Sequence, residues 1–138
     1  MNYIKNHHSL PGRIIITIML TSAVIPVLIT DLWAELYQHL CFPFYKIPIV
    51  KRSSYIKIDR HKLKYLGLWQ KFYCVYCGYV NGAINYWQEI AGQTEKYWCG
   101  IQHRKREGFK SPEHHSRLHF TEYGNQQEFK DTYEKNQN

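Results

Sequence analysis

From Ile14 to Thr30 the chain runs for 17 residues without a single charge: Ile-Ile-Ile-Thr-Ile-Met-Leu-Thr-Ser-Ala-Val-Ile-Pro-Val-Leu-Ile-Thr. As a helix this run rises about 25 Å at ~1.5 Å per residue. That is the short end of a membrane span, and Leu32 and Trp33 can extend it. Pro26 is unfavourable inside a soluble helix but tolerated in a transmembrane one. A cleaved signal peptide competes, because Thr21-Ser22-Ala23 resembles a small-residue cleavage site. Val24 to Ile29 stays apolar beyond that point, which fits a retained anchor better. A helix buried in a soluble core fits less well with a segment apolar all round.

The anchor takes a large share of 138 residues, so the remaining core is small and calls for a metal, a disulfide or a partner. Charge is uneven. Lys46 to Phe120 holds 14 Lys/Arg against 5 Asp/Glu, whereas Thr121 to Asn138 holds 2 against 4. The basic stretch begins just after the apolar run, so anionic lipid headgroups are the expected partner, along with a protein partner at the membrane. Nucleic acid is not expected, since no nucleic-acid-binding motif is present.

Beyond the anchor, Leu32, Trp33, Leu36, Tyr37 and Leu40 recur at helical spacing, and Pro43 and Pro48 predict the end of that helix. Cys41 reads as a buried or lipid-facing apolar residue. Ser54-Tyr-Ile-Lys-Ile alternates with period two and predicts a short strand. Asp59 is an expected N-cap for a helix through Leu63, Leu66 and Trp69. Gly82 to Trp98 predicts a further helix.

Three of the four cysteines lie in the next stretch. Cys74-x-x-Cys77-Gly78-Tyr79 resembles the metal knuckle of rubredoxins and zinc ribbons, in which two thiolates converge on one ion. With no second Cys-x-x-Cys, the available complement is Cys99 and His103, whose i, i+4 spacing suits one helical face. The four give a Cys3His set, and zinc is the expected ion. An unbroken helix from Gly82 to Trp98 would hold Cys99 more than about 20 Å from Cys77. The set therefore requires a break, for which Gly92 with Thr94 as a new cap is the candidate. The alternative is a membrane-tethered thiol–disulfide oxidoreductase working through Cys74 and Cys77. The bland alternative is buried thiols among aromatic rings. Three histidines, His114, His115 and His119, offer replacement ligands, although three such residues in a polar loop more often face solvent.

The segments Ile58-Asp-Arg-His-Lys-Leu-Lys-Tyr-Leu, Cys-Val-Tyr-Cys-Gly-Tyr-Val-Asn-Gly and Glu-Ile-Ala-Gly-Gln-Thr-Glu-Lys-Tyr-Trp-Cys-Gly-Ile-Gln-His resemble a family of uncharacterised bacterial membrane-anchored proteins. The resemblance covers roughly Asp31 to Gly124. It implies a bacterial membrane protein and no particular chemistry; the expected location is the inner membrane, with a single pass. Family members often carry Pro at the position of Gly100, which implies a helix end at Cys99.

The expected architecture is mainly α, with one N-terminal transmembrane helix and a small helical domain containing the Cys and His residues. Residues 1–33 form the N-terminal segment and anchor, and 34–57 an interfacial and extended connector. Residues 58–124 form the domain, and 125–138 a polar tail that is frayed or loosely helical. Lys5 and Arg13 precede the span, and Lys46, Lys51 and Arg52 follow it, which leans towards a cytoplasmic C-terminal domain. The expected role is binding or assembly at the membrane.

Overall fold

The computed structural model describes residues 10–134; Lys5 and residues 135–138 of the expected tail lie outside the described residues. The protein is mainly helical, as expected. Its elements are α1 (Leu10–Ser22), α2 (Val24–Tyr45), α3 (Leu68–Trp98), α4 (Glu113–Arg117) and α5 (Gln126–Phe129). No strand occurs among the described residues.

The first two helices form one stem. Ala23 N–H donates to Met19 O at 3.3 Å and Val27 N–H to Ala23 O at 3.4 Å, so the ladder continues across the break. The break falls one turn before Pro26, which has no N–H to give to the Ser22 carbonyl. The helix Ile14–Tyr45 has 32 residues, a mean hydropathy of 2.2 in its most apolar window, and almost no burial there. It is long and apolar enough to cross a membrane. Three of its hydroxyls are satisfied within the helix: Thr21 Oγ1 donates to Thr17 O (2.7 Å), Ser22 Oγ to Met19 O (2.9 Å) and Thr30 Oγ1 to Pro26 O (2.8 Å). This back-bonding lets polar residues sit in an apolar run without leaving a donor bare.

The stem packs on α3 from Thr17 onward, and contacts rise together along both helices. Thr17 meets Tyr73 (2.9 Å), Asp31 meets Tyr79 (2.8 Å), Tyr37 meets Thr94 (3.0 Å), and Tyr45 stacks on Tyr97 at 4.6 Å. The helices are therefore parallel, and residues 46–67 must run back between their ends. They do so along the pair: Val50 bonds Gln38, Arg52 bonds Asp31, and Tyr55 to Ile58 cross the Gly82 and Gly78 positions of α3. The two glycines, four apart on one helix face, let this backbone approach closely.

The core is small: Phe42, Tyr86 and Ile90, flanked by Ala34, Tyr37, Tyr45, Ile47, Val50, Tyr55 and Trp87. It joins the expected connector to the expected domain, because Phe42 lies in the first and Tyr86 and Ile90 in the second. Two buried polar groups bind the same layers. Asp31 accepts from Arg52 Nη2 (2.6 Å), Tyr79 OH (2.8 Å) and Trp87 Nε1 (3.3 Å). Gln38 exchanges hydrogen bonds with the Val50 backbone and donates to the Tyr86 hydroxyl.

Three local expectations are corrected. α2 continues through Pro43 and closes at Tyr45, where Lys46 turns left-handed (φ 55°) and donates to the Phe42 and Pro43 carbonyls. Ser54–Ile58 is not a strand: Arg52–Ser54 is a 3-10 turn, and the segment lies on glycines rather than beside another strand. The helix expected from Asp59 reduces to the 3-10 turn Arg60–Lys62, with no side-chain cap from Asp59; α3 starts instead after Gly67, whose N–H donates to Gln70 Oε1 (2.9 Å). The described part of the tail, a loose helix among the expectations, carries α5, where Asn125 Oδ1 accepts from Glu128 N–H (3.1 Å), followed by a π turn over Lys130–Glu134.

Candidate metal centre

The four expected ligands do not converge. Cys74 and Cys77 lie within α3, and Cys99 is the residue that caps its C-terminal end. α3 is unbroken over 31 residues, so Cys77 and Cys99 stand about 33 Å apart along its axis at ~1.5 Å per residue. No single ion spans that separation with zinc–sulfur bonds of about 2.3 Å. The knuckle is absent for the same reason: Gly78 is a helical residue, and its missing Cβ makes room for the Lys57 carbonyl. Gly92 does not break the helix, and Thr94 Oγ1 donates back to Ile90 O (2.8 Å) instead of capping a new one. All four cysteines are free thiols. Cys74 is the seventh residue of α3, past the exposed N–H groups of the first turn that activate thioredoxin-type cysteines.

His103 does join a ligand group, with partners the spacing did not single out together. Ligand atoms of Glu95, His103 and His115 all lie within 4.8 Å of one another. The group is assembled where α3 ends. After Trp98 the chain leaves the helix, and Gly100 takes φ 62°, a conformation that favours glycine. Residues 100–102 then clasp residues 120–121. Thr121 N–H donates to Gly100 O (2.9 Å), Gln102 N–H to Thr121 O (2.8 Å) and Gln102 Nε2 to Phe120 O (2.9 Å). This clasp sets His103 beside His115, with ring centroids 5.3 Å apart.

α4 brings His115 to Glu95. It lies on α3 at three points of one face. Glu89 pairs with Arg117, Gly92 seats the His114 ring, and Glu95 accepts from both histidines. A Cβ at position 92 would stand 3.0 Å from His114 Cγ, so any larger residue would push the ring off this seat by a few tenths of an ångström. His114 Nε2 donates to Glu95 Oε2 (2.7 Å), and His115 Nε2 to Glu95 Oε1 (3.1 Å). His115 is buried and stacks on Phe120 at 4.4 Å.

The donors suit zinc and similar first-row divalent ions, which take imidazole nitrogen and carboxylate oxygen. Tetrahedral zinc holds such ligand atoms about 3.3 Å apart, so the group has to contract by no more than ~1.5 Å. His103 is the exposed member of the three. His114 supplies the outer hydrogen bond that holds a ligating carboxylate in place.

The electrostatics set a pH dependence. Burial pushes the Glu95 carboxyl up, but hydrogen bonds and charge from His114 and His115 outweigh it and hold it below its ordinary value. Burial likewise raises Glu89, and Arg117 with Gln93 brings it below its ordinary value. A carboxylate whose folded pKa is depressed stabilises the fold above its unfolded pKa, and that contribution is lost as pH falls through the folded value. The thermal midpoint of the full-length protein in detergent is therefore expected to drop as pH falls from about 5 to 3. Glu89→Gln should flatten that slope; an unchanged slope would contradict this assignment.

Sequence inspection marked His103, His114 and His115 but missed Glu95. Its signal was the stripe Glu89, Gly92, Glu95 at three-residue steps, facing the basic helix Glu113–Arg117. No family model, curated protein or solved structure matches this chain.

Proposed function

We propose that this is a single-pass protein of the bacterial inner membrane, working in binding or assembly there, with one structural zinc held by Glu95, His103 and His115. The carrying observation is that these three donors come from α3, the loop after it and α4. An ion there would close a loop of some twenty residues in a domain with a core of few side chains, and so act as a staple. The apolar stem supports the anchor. Lys46 and Lys51 follow the apolar run, are exposed and are available to anionic headgroups, whereas Arg52 is taken up by Asp31 and Glu35. Basic residues after the span support a cytoplasmic domain.

The test uses full-length protein. It should sediment with membranes and resist carbonate extraction; release into the supernatant would count against the span. Purified protein should bind one zinc. His103→Ala and His115→Ala should each weaken binding by at least about tenfold, whereas Cys74→Ser and Cys77→Ser should not. Metal-free protein with a reversible Cys74–Cys77 disulfide would favour the thiol oxidoreductase instead.

A further inference from the structure

The three protein donors of the proposed zinc site leave a tetrahedral ion one position short. His103, the exposed member, also lines a cleft of about 510 Å³ with Arg104, Lys105, Arg106, Phe109 and Tyr123. Three consecutive cations therefore stand next to the ligand residue. None of the three makes a side-chain hydrogen bond or ion pair among the described residues, while Glu89, Glu95, Asp31 and Glu35 are all engaged with other partners. Phe109 packs edge-on against the His103 ring (5.5 Å) and gives the cleft an apolar wall. Guanidinium groups match the oxygen geometry of phosphate, and a neighbouring metal adds a second cationic contact.

We propose that this cleft binds a tetrahedral oxyanion of the phosphate class, with the zinc as one of its contacts; this rests on the zinc reading above. Two sources share that chemistry, soluble phosphate and a lipid headgroup. Tyr45, which stacks on Tyr97 near the end of α3, lies about 22 Å along the stem from residue 30 at ~1.5 Å per residue. The cleft therefore stands well away from the apolar half of the stem, which favours the soluble anion.

The experiment titrates inorganic phosphate into full-length protein in zwitterionic micelles, metal-free and loaded with one zinc, with the zinc affinity measured in the same preparation. The zinc-loaded protein should bind phosphate at least about tenfold more tightly than the metal-free protein. The triple variant R104Q/K105Q/R106Q should lose about tenfold in phosphate affinity while its zinc affinity stays within about threefold. Nanodiscs with and without phosphatidylglycerol separate the sources: suppressed phosphate uptake in the anionic discs assigns the headgroup, and equal uptake assigns the soluble anion. Zinc binding with phosphate affinity unaltered by metal or by the triple variant would overturn the anion site alone. Failure to bind zinc at Glu95, His103 and His115 would overturn the zinc reading, and the metal–anion pairing with it.

Discussion

Gly82→Ala is expected to lower the thermal midpoint of the detergent-solubilised protein by roughly 10–20 °C, taking 4–8 °C per kcal/mol for a domain of this size. Alanine normally stabilises a helix interior relative to glycine by about 0.5–1 kcal/mol. Here the sign reverses. A Cβ at position 82 would meet Ile56 Cα and the Tyr55 carbonyl oxygen, each at 2.8 Å. Both are backbone atoms and cannot swing aside. The crossover would have to lift, taking with it the ring of Tyr55, which packs against Tyr86 at 6.0 Å. Overpacking of this kind costs about 1–3 kcal/mol, and loosening Tyr55 adds to it. Gly67→Ala is the control, since a Cβ there meets Gln70 Oε1 at 3.6 Å and no backbone. A midpoint unchanged by Gly82→Ala would show that residues 55–58 do not lie against α3.

Asp31→Ala should be comparably damaging. Asp31, on the stem, is 5% exposed and receives three donors from two other segments: Arg52 from the crossover, Tyr79 and Trp87 from α3. Removing the acceptor leaves those donors without their partner. Breaking a buried charge pair costs about 3–5 kcal/mol, and the partial exposure of Arg52 reduces this to roughly 2–4. Asp31→Asn keeps the shape and should fall between the two. Glu35→Ala should cost less, because that carboxylate is more exposed and lies 3.7 Å from Arg52 Nε. Chemical unfolding in mixed micelles measures the series, and an Asp31→Ala protein as stable as wild type would contradict the buried network.

The stem was legible because an uncharged run of 17 residues has few structural outcomes. Its continuation past Pro43 was not, since a proline near a helix end forfeits one hydrogen bond and the Lys46 cap secures the rest. The glycines misled most. Gly78 reads as a turn beneath a metal knuckle and Gly92 as a helix break, yet both sit inside α3 and serve close approach, to the Lys57 carbonyl and to the His114 ring. Close approach is a tertiary property, invisible to local spacing. The same holds for the candidate site. Local spacing grouped His103 with cysteines along the chain, whereas the fold groups it with Glu95 and His115 across three segments.

The most direct test of this assignment is the zinc X-ray absorption spectrum of the full-length protein loaded with one equivalent. The Glu95–His103–His115 site predicts nitrogen and oxygen neighbours alone, at about 2.0–2.1 Å. A sulfur shell at about 2.3 Å would return the metal to the cysteines and contradict the account.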